Sequence, residues 1–318
     1  ESMAVRTACL QWVCMLLAHS PAQMLRRATM QRLFDPLFQT LVLPDEEVVV
    51  AALQVLANMM SGRNADEDRL DDDDDGGDFF SSVTQKLLRL FAVERGILET
   101  RGRLMIRKLC SHLSPRQLYI TVARAIKEEK DLELAQQLVQ TFSWVLLTAI
   151  ETKSLREELL QTAPLDLPGQ TGQAAKSELF VELLEAWFHN PVSALALCLW
   201  AEQDDFALEL TARLAAFEPT MDFFKQLDQL VQLLESPIFS RLRMRLLRPS
   251  RHPALIKCLL GLAMILPQAG AFNLLRGRVN VLQSGMLLDA RTASGPDSNA
   301  CRDGLQPAGC STDMAGLL

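Results

Sequence analysis

The densest set of metal-binding side chains in the sequence is the run of five aspartates from Asp71 to Asp75, which Gly76 follows. Aspartates at alternate positions before a glycine open a calcium-binding loop, in which carboxylate oxygens ligate the ion. The bidentate glutamate that closes such a loop is replaced here by Ser82, and the apolar eighth position is Asp78. The run therefore matches only the first half of a calcium loop, and we predict no metal site.

The same run contains a DDxxD pattern, which resembles the magnesium–diphosphate motif of all-α terpene cyclases. In those enzymes the motif lies on a helix that lines an aromatic cavity. Here it precedes two glycines, and aromatic residues make up only 6% of the chain. Residues 61–78 contain no apolar side chain except Ala65 and Leu70, too few to order a segment by burial. We therefore predict an acidic disordered loop over 61–80. An all-α enzyme that uses Asp71 to Asp75 is the alternative.

Other residues with catalytic potential lack partners in the sequence. Cys110 and His112 lie two positions apart on a predicted helix, so their side chains do not face each other. His189 has no nucleophile, carboxylate or second histidine at a useful spacing. The chain contains no P-loop, HExxH, GxSxG or kinase motif, and its seven cysteines show no CxxC spacing. We predict that the protein is not an enzyme and binds no cofactor.

Two sets of residues are candidates for binding a partner. Guanidinium groups on one side of a predicted helix suit an acidic protein patch or a lipid phosphate, with an ordinary solvated face as the alternative. Tryptophan at a surface groove would be a binding hot spot, whereas a buried one anchors the core. The candidate partner-binding residues are Trp187, His189, Asn190, Arg241, Arg245, Arg248 and Arg251. The net charge of −7 argues against nucleic-acid binding.

These residues lie among helices that proline separates. Leu227, Leu230 and Leu234 recur at helical spacing and predict one apolar face. The helix predicted from Ala254 to Leu266 is apolar around nearly its whole circumference, but at roughly 20 Å it is too short to span a bilayer of roughly 30 Å. Such a helix must be covered by protein on both sides. We therefore predict an all-α fold, an α-solenoid of HEAT-like helical hairpins.

Local signals refine this prediction in the second half of the chain. Asp131 is placed to cap one long helix that runs from Leu132 to Gln161. Residues 163–174 contain two prolines and two glycines and form the clearest linker. Pro191 ends the helix that contains Trp187 and opens another short apolar helix.

Several sequence blocks together resemble one known family. AWFHNPVSALALCLWAEQ, MDFFKQLDQLVQLLESPIFSRLRMRLL and HPALIKCLLGLAMILPQAGAFNLLRGRV are similar to the C-terminal partner-binding region of the ArPIKfyve family of vacuole-morphology HEAT-repeat scaffolds. RTACLQWVCMLLAHSPAQML and PDEEVVVAALQVLANMM resemble the last HEAT units of that family. The resemblance covers most of residues 5–60 and 87–282.

The resemblance implies a non-catalytic scaffold. Members of this family hold a phosphatidylinositol-3-phosphate 5-kinase of the PIKfyve type together with an opposing Sac-domain phosphatase, and they self-associate through this region. The complex controls phosphatidylinositol 3,5-bisphosphate on endosomal and vacuolar or lysosomal membranes, so we expect a cytoplasmic protein that is peripheral to these membranes through its partners. The resemblance implies that a long N-terminal HEAT array engages the kinase, and we expect that array to lie outside residues 1–318. The resemblance therefore supports contact with the phosphatase more directly than contact with the kinase.

We divide the chain accordingly. Residues 1–60 are predicted to form terminal HEAT-type repeats, 61–80 the acidic disordered loop, 81–285 the C-terminal helical partner-binding region and 286–318 a flexible tail. A generic helical-repeat adaptor in vesicle or nuclear transport remains the alternative function, because a stack of helices presents a long surface to many kinds of partner.

Overall fold

The computed structural model of the chain describes residues 3–24, 27–65, 76–160, 178–216 and 220–265, with residues 277 and 281 in addition. Helices and short turns account for all of these parts, and no strand occurs in them. The predicted all-α solenoid is therefore confirmed. The aspartate run at 71–75, the linker at 163–174 and the predicted tail at 286–318 lie outside the described residues.

The α-helices are short to medium in length, and two 3₁₀ turns, Pro237–Phe239 and Pro249–Arg251, interrupt the last part. The helices are α1 (Met3–His19), α2 (Pro21–Met24), α3 (Arg27–Leu41), α4 (Glu46–Ala65), α5 (Gly76–Val93), α6 (Arg95–His112), α7 (Pro115–Glu128), α8 (Leu132–Thr148), α9 (Lys153–Leu160), α10 (Glu178–Trp187), α11 (Pro191–Trp200), α12 (Asp204–Ala215), α13 (Met221–Glu235), α14 (Ser240–Arg245) and α15 (Pro253–Ile265). Helices α4 and α5 thus extend into both ends of the segment predicted as a loop over 61–80.

The helices stack in two rows. One row consists of α4, α6, α8, α11 and α13, in which each helix packs against the next. Helices α5, α7 and α10 form the second row, in which α7 contacts both α5 and α10. One continuous apolar core runs through the stack from Leu10 to Ala263. The arrangement is a solenoid because each layer covers the apolar face of the preceding one.

Helix α11 lies at the centre of the second half. Eight of its ten residues are buried, because α8, α10, α12 and α13 all pack against it. Its N-terminus is set by Asn190, whose side-chain oxygen accepts a hydrogen bond of 3.0 Å from the backbone N–H of Ser193. Leu227, Leu230 and Leu234 of α13 are buried as predicted and form part of the cover over α11.

Helix α15 is covered on one side by described residues. It buries Leu255, Leu259 and Leu262 and packs mainly against α12. Met264 is 78% exposed. Within the part that the structure describes, α12 and the 3₁₀ turn at Pro249–Arg251 supply most of the cover over this helix. The prediction that it is covered on both sides is therefore not confirmed there.

The prediction of one helix from Leu132 to Gln161 is wrong. Asp131 caps α8 as predicted, accepting hydrogen bonds from the backbone N–H groups of Glu133 and Leu134 at 3.1 and 3.2 Å. However, α8 ends at Thr148 and α9 begins at Lys153. The end of a helix leaves carbonyl groups without intrahelical partners. Side chains from nearby residues donate hydrogen bonds to these carbonyls here, so the chain can turn at this point.

Arg156 and Thr152 supply those hydrogen bonds. The Thr152 hydroxyl lies within hydrogen-bonding distance of the carbonyl oxygens of Val145, Leu146 and Ala149, and Arg156 adds a charged donor. Its Nη1 donates to the carbonyl oxygens of Leu146 and Ala149 at 2.7 and 2.5 Å and to the Thr152 hydroxyl at 2.8 Å. Its guanidinium also lies 5.8 Å from the centre of the Trp200 ring. Burial lowers the pKa of Arg156. One side chain therefore stabilises the turn between α8 and α9 and joins it to α11.

Two other arginines satisfy helix ends in the same way. Arg101 donates to the carbonyl oxygens of Leu43 and Pro44 after α3. Arg243 donates to the carbonyl oxygens of Leu234 and Ser236 at the end of α13, at 2.6 and 2.5 Å. Each guanidinium comes from a different helix than the carbonyls it contacts, so these hydrogen bonds also fix the angle between neighbouring helices.

We predict that Arg156→Ala lowers the free energy of unfolding by about 2 to 3 kcal/mol, because it leaves buried carbonyls without a charged donor. Urea unfolding followed by circular dichroism measures this change. Arg213→Ala is the matched control, since Arg213 is exposed and pairs with Glu209 four residues before it. We expect a loss under about 0.5 kcal/mol for that variant. Equal losses for both variants would show that Arg156 does not stabilise the turn.

Candidate partner-binding site

A groove lies on the surface between α8 and α13, above α11. Its floor consists of Val192, Ser193 and Ala196 of α11. Because Ser193 and Ala196 have small side chains, the larger residues of the flanking helices rise on both sides and leave a depression between them. The groove encloses about 40 Å³ and is open to solvent. Its shape suits part of a protein partner better than an enclosed cofactor.

The walls of the groove carry amide and apolar side chains. Helix α8 contributes Gln140, Ser143, Trp144 and Leu147, and α13 contributes Gln226, Gln229, Leu230 and Leu233. No charged residue is among those that line it. A glutamine amide both donates and accepts hydrogen bonds, so these walls can pair with the N–H and C=O groups of a peptide backbone. Uncharged walls also lose little hydration energy when a partner covers them.

Two contacts order the groove walls. The amide nitrogen of Asn190 donates a hydrogen bond of 3.0 Å to the side-chain oxygen of Gln226, which leaves the amide nitrogen of Gln226 as a donor. The guanidinium of Arg103 on α6 lies 4.9 Å from the centre of the Trp144 ring, a cation–π contact that holds this half-buried ring in place. The side chains of Gln226 and Trp144 are therefore positioned before any partner binds.

The three candidates from the α10–α11 corner have different positions. Trp187 is completely buried, with its ring centre 6.3 Å from that of Tyr119, and therefore cannot contact a partner. Asn190 is also completely buried and acts through Gln226. His189 remains partly exposed, beside Phe188, whose side chain is 53% exposed. Burial of α10 against α7 is the reason that the tryptophan belongs to the core.

Arg245 is also an internal residue. Only 12% of its side chain is exposed, and its Nη2 forms an ion pair with the carboxylate of Asp204 at the start of α12. The same nitrogen lies 3.1 Å from Nδ1 of His252. Burial raises the pKa of Asp204, and the charge of Arg245 opposes that shift. Removing either Arg245 or Asp204 would leave the other buried charge without its partner. Arg245 therefore joins α14 to α12 and is not a partner-binding residue.

The other three arginines of the predicted strip lie on the surface. Arg241 is 60% exposed and contacts Glu202 at 2.5 Å. Arg248 and Arg251 are exposed, and the latter lies in the 3₁₀ turn after α14. The helix predicted to carry these arginines on one side is shorter than their span, because α14 covers only Ser240–Arg245. The four arginines consequently do not form one continuous strip.

The groove residues were not predicted as a site from the sequence. Gln226 and Gln229 fit the polar side of an amphipathic helix, which is usually hydrated. The available signal was the recurrence of glutamine at Gln226, Gln229 and Gln232 of α13, although Lys225 and Asp228 lie beside them. That recurrence becomes meaningful only when α8 brings Gln140 and Trp144 to the opposite wall.

Metal-binding clusters and membrane-spanning helices are both absent from the described ranges. No three histidine, cysteine, aspartate or glutamate side chains in those ranges lie close enough together to hold a metal ion. In the same ranges, no helix combines the length and the apolar character that crossing a membrane requires.

Comparison with curated proteins identifies several relatives. The protein VAC14 homolog of Schizosaccharomyces pombe is 33% identical over 283 residues, which are 88% of this chain and 31% of the relative. Vacuole morphology and inheritance protein 14 of Saccharomyces cerevisiae is 30% identical over 277 residues, 87% of this chain and 28% of the relative. The protein VAC14 homolog of Arabidopsis thaliana is 31% identical over 283 residues, 89% of this chain and 35% of the relative.

The chain thus spans about a third of the length of these relatives. No solved structure is significantly similar to it. Residues 95–282 match the family described as vacuolar protein 14 C-terminal Fig4p binding. The matched span begins at the first residue of α6 and contains all three helices of the groove. The family expected from the sequence blocks is confirmed, and the chain belongs to the Vac14 family.

Proposed function

We propose that the chain is the C-terminal partner-binding part of a non-catalytic scaffold that holds a Sac-domain phosphoinositide phosphatase. This proposal rests on the match of residues 95–282 to a family that is described by its binding of Fig4p. In the complex that the resemblance implies, Fig4p is the counterpart of the Sac-domain phosphatase. The match covers α6 to α15, which are stacked helices with large shared surfaces. Such a stack serves to present a binding surface.

The groove between α8 and α13 is our candidate for the phosphatase contact. Its glutamines provide donors and acceptors for an extended backbone, and the partly exposed Trp144 and Leu233 provide apolar contact area. An ordered groove binds with a smaller loss of side-chain entropy than a mobile surface. We therefore assign it a peptide segment of the phosphatase.

The larger assembly belongs to the same proposal. We infer that the complete scaffold also holds a PIKfyve-type phosphatidylinositol-3-phosphate 5-kinase and self-associates, so that synthesis and turnover of phosphatidylinositol 3,5-bisphosphate occur in one complex. The name of the budding-yeast relative refers to vacuole morphology and inheritance, which supports action at vacuolar and endosomal membranes. In this proposal the cytoplasmic scaffold acts on neither lipids nor nucleic acids by its own chemistry.

We predict that Gln140→Glu combined with Gln229→Glu weakens binding of a purified Sac-domain phosphatase of the Fig4 type at least about tenfold, equivalent to about 1.4 kcal/mol. The two added charges would lose hydration beneath the partner. Isothermal titration calorimetry with the whole chain measures the dissociation constant. The matched control is Gln136→Glu, because Gln136 is exposed on α8 and does not line the groove.

The results separate the scaffold function from its proposed site. If the wild-type chain does not bind the phosphatase, the proposed function is wrong. If it binds and the double variant binds equally well, the function stands and the phosphatase contacts another surface. Thermal melting should be the same for all three proteins, since Gln229 is exposed and Gln140 is half-exposed.

A second prediction tests the positioning of Gln226 by Asn190. Asn190→Ser keeps an N-cap oxygen for α11 but is too short to reach Gln226, so we expect nearly wild-type stability with several-fold weaker phosphatase binding. Gln226→Ala should weaken binding to a similar extent. Together the two changes should weaken binding no more than either one, because both remove the same oriented amide. Additive losses in affinity would contradict this positioning role.

A further inference from the structure

The segment from Ser236 to His252 differs in charge from the rest of the chain. It contains five arginines and no acidic residue, whereas the whole chain has a net charge of −7. Two of its arginines pair with acids of other elements, Arg241 with Glu202 and Arg245 with Asp204. The sequence of the segment is nevertheless strongly basic within a chain that is acidic as a whole.

Two apolar side chains project from this same segment. Met244 is 64% exposed and Leu247 is 65% exposed. Leu242 and Leu246, two positions before and after Met244 in the sequence, each have only 5% of their surface exposed. Those two buried leucines hold the segment against the core, so Met244 and Leu247 are held outward rather than left loose. Met244 and Leu247 are therefore fixed apolar side chains that are exposed to water, and arginines lie on both sides of them in the sequence.

We propose that Arg241, Met244, Leu247, Arg248 and Arg251, together called the basic tip, bind the surface of an anionic lipid membrane. Guanidinium groups form hydrogen-bonded ion pairs with lipid phosphates. Met244 and Leu247 enter the boundary between head groups and acyl chains, where exposed apolar side chains leave water. An acidic protein patch would pair with the arginines, but it would also need a pocket that matches both apolar side chains. A fluid bilayer accommodates two projecting side chains of any shape.

The basic tip gives the scaffold a direct membrane contact in addition to any made by its partners. The contact is interfacial, because α14 has only six residues. Arg243 and Arg245 are not part of it, since Arg243 caps α13 and Arg245 is paired with Asp204. This proposal does not depend on phosphatase binding, although a phosphatase held nearby would be brought to the lipid surface on which it acts.

Vesicle sedimentation with the whole chain tests the proposal. The wild-type chain should sediment with phosphatidylcholine vesicles that contain about a fifth phosphatidylserine, and this binding should weaken as salt is added. It should not sediment with vesicles of pure phosphatidylcholine. Equal sedimentation with both kinds of vesicle would overturn the role of the arginines. No sedimentation with either kind would overturn the proposal as a whole.

Two variants separate the charged and apolar parts of the basic tip. Arg248→Gln with Arg251→Gln should weaken binding to the phosphatidylserine vesicles about 25-fold, from about fivefold for each arginine. Met244→Ser with Leu247→Ser should weaken it about tenfold or more while leaving every charge in place. Val93→Ser with Ile150→Ser is the matched control, because these residues are 79% and 76% exposed elsewhere on the surface. We expect wild-type binding for it.

All of these residues are exposed, so the variants should melt at the wild-type temperature. Wild-type vesicle binding by either tip variant would contradict the proposal. If the tip variants keep vesicle binding but lose the purified Sac-domain phosphatase, the surface is a protein contact and the lipid proposal is wrong. Gln140→Glu with Gln229→Glu should bind vesicles normally, which keeps a failure of the groove assignment distinct from a failure of this one.

Discussion

Helix α11 has no polar face, and the arrangement of the C-terminal helices depends on covering it. Eight of its ten residues are buried, because such an apolar helix is stable only where neighbouring helices exclude water from most of its surface. Four helices from different parts of the chain, α8, α10, α12 and α13, meet around it. The groove follows from the same packing, because the small residues Ser193 and Ala196 do not fill the space between α8 and α13.

A stack of short helices creates many helix ends, and each end exposes carbonyl groups without partners. This chain satisfies several of them with arginines from neighbouring elements, namely Arg101, Arg156 and Arg243. A planar guanidinium can contact two carbonyls at once, which a lysine ammonium does less specifically. Arginine therefore has three roles in this protein: it caps helix ends, it forms the buried pair of Arg245 with Asp204, and it supplies charge at the basic tip.

The groove and the basic tip suit different kinds of partner because their chemistry differs. The groove has uncharged amides on fixed walls, which favours directional hydrogen bonds to a peptide. The basic tip has excess positive charge and two exposed apolar side chains, which favours a surface with many phosphates and no fixed shape. In the proposed function, the groove would select the enzyme and the basic tip would bring it to its lipid substrate.

The sequence by itself determined the helical class, most helix positions and the family. Helical periodicity is a local property, so the buried face of α13 and the cap at Asp131 were both predicted correctly. Tertiary structure alone decided which outward-facing residues remain exposed. Trp187, Asn190 and Arg245 were candidates for partner binding, yet neighbouring helices cover all three. The division of α8 from α9 and the groove of Gln140 and Gln229 likewise depend on residues distant in sequence, because a carbonyl or an amide gains its partner only when the stack brings that partner close.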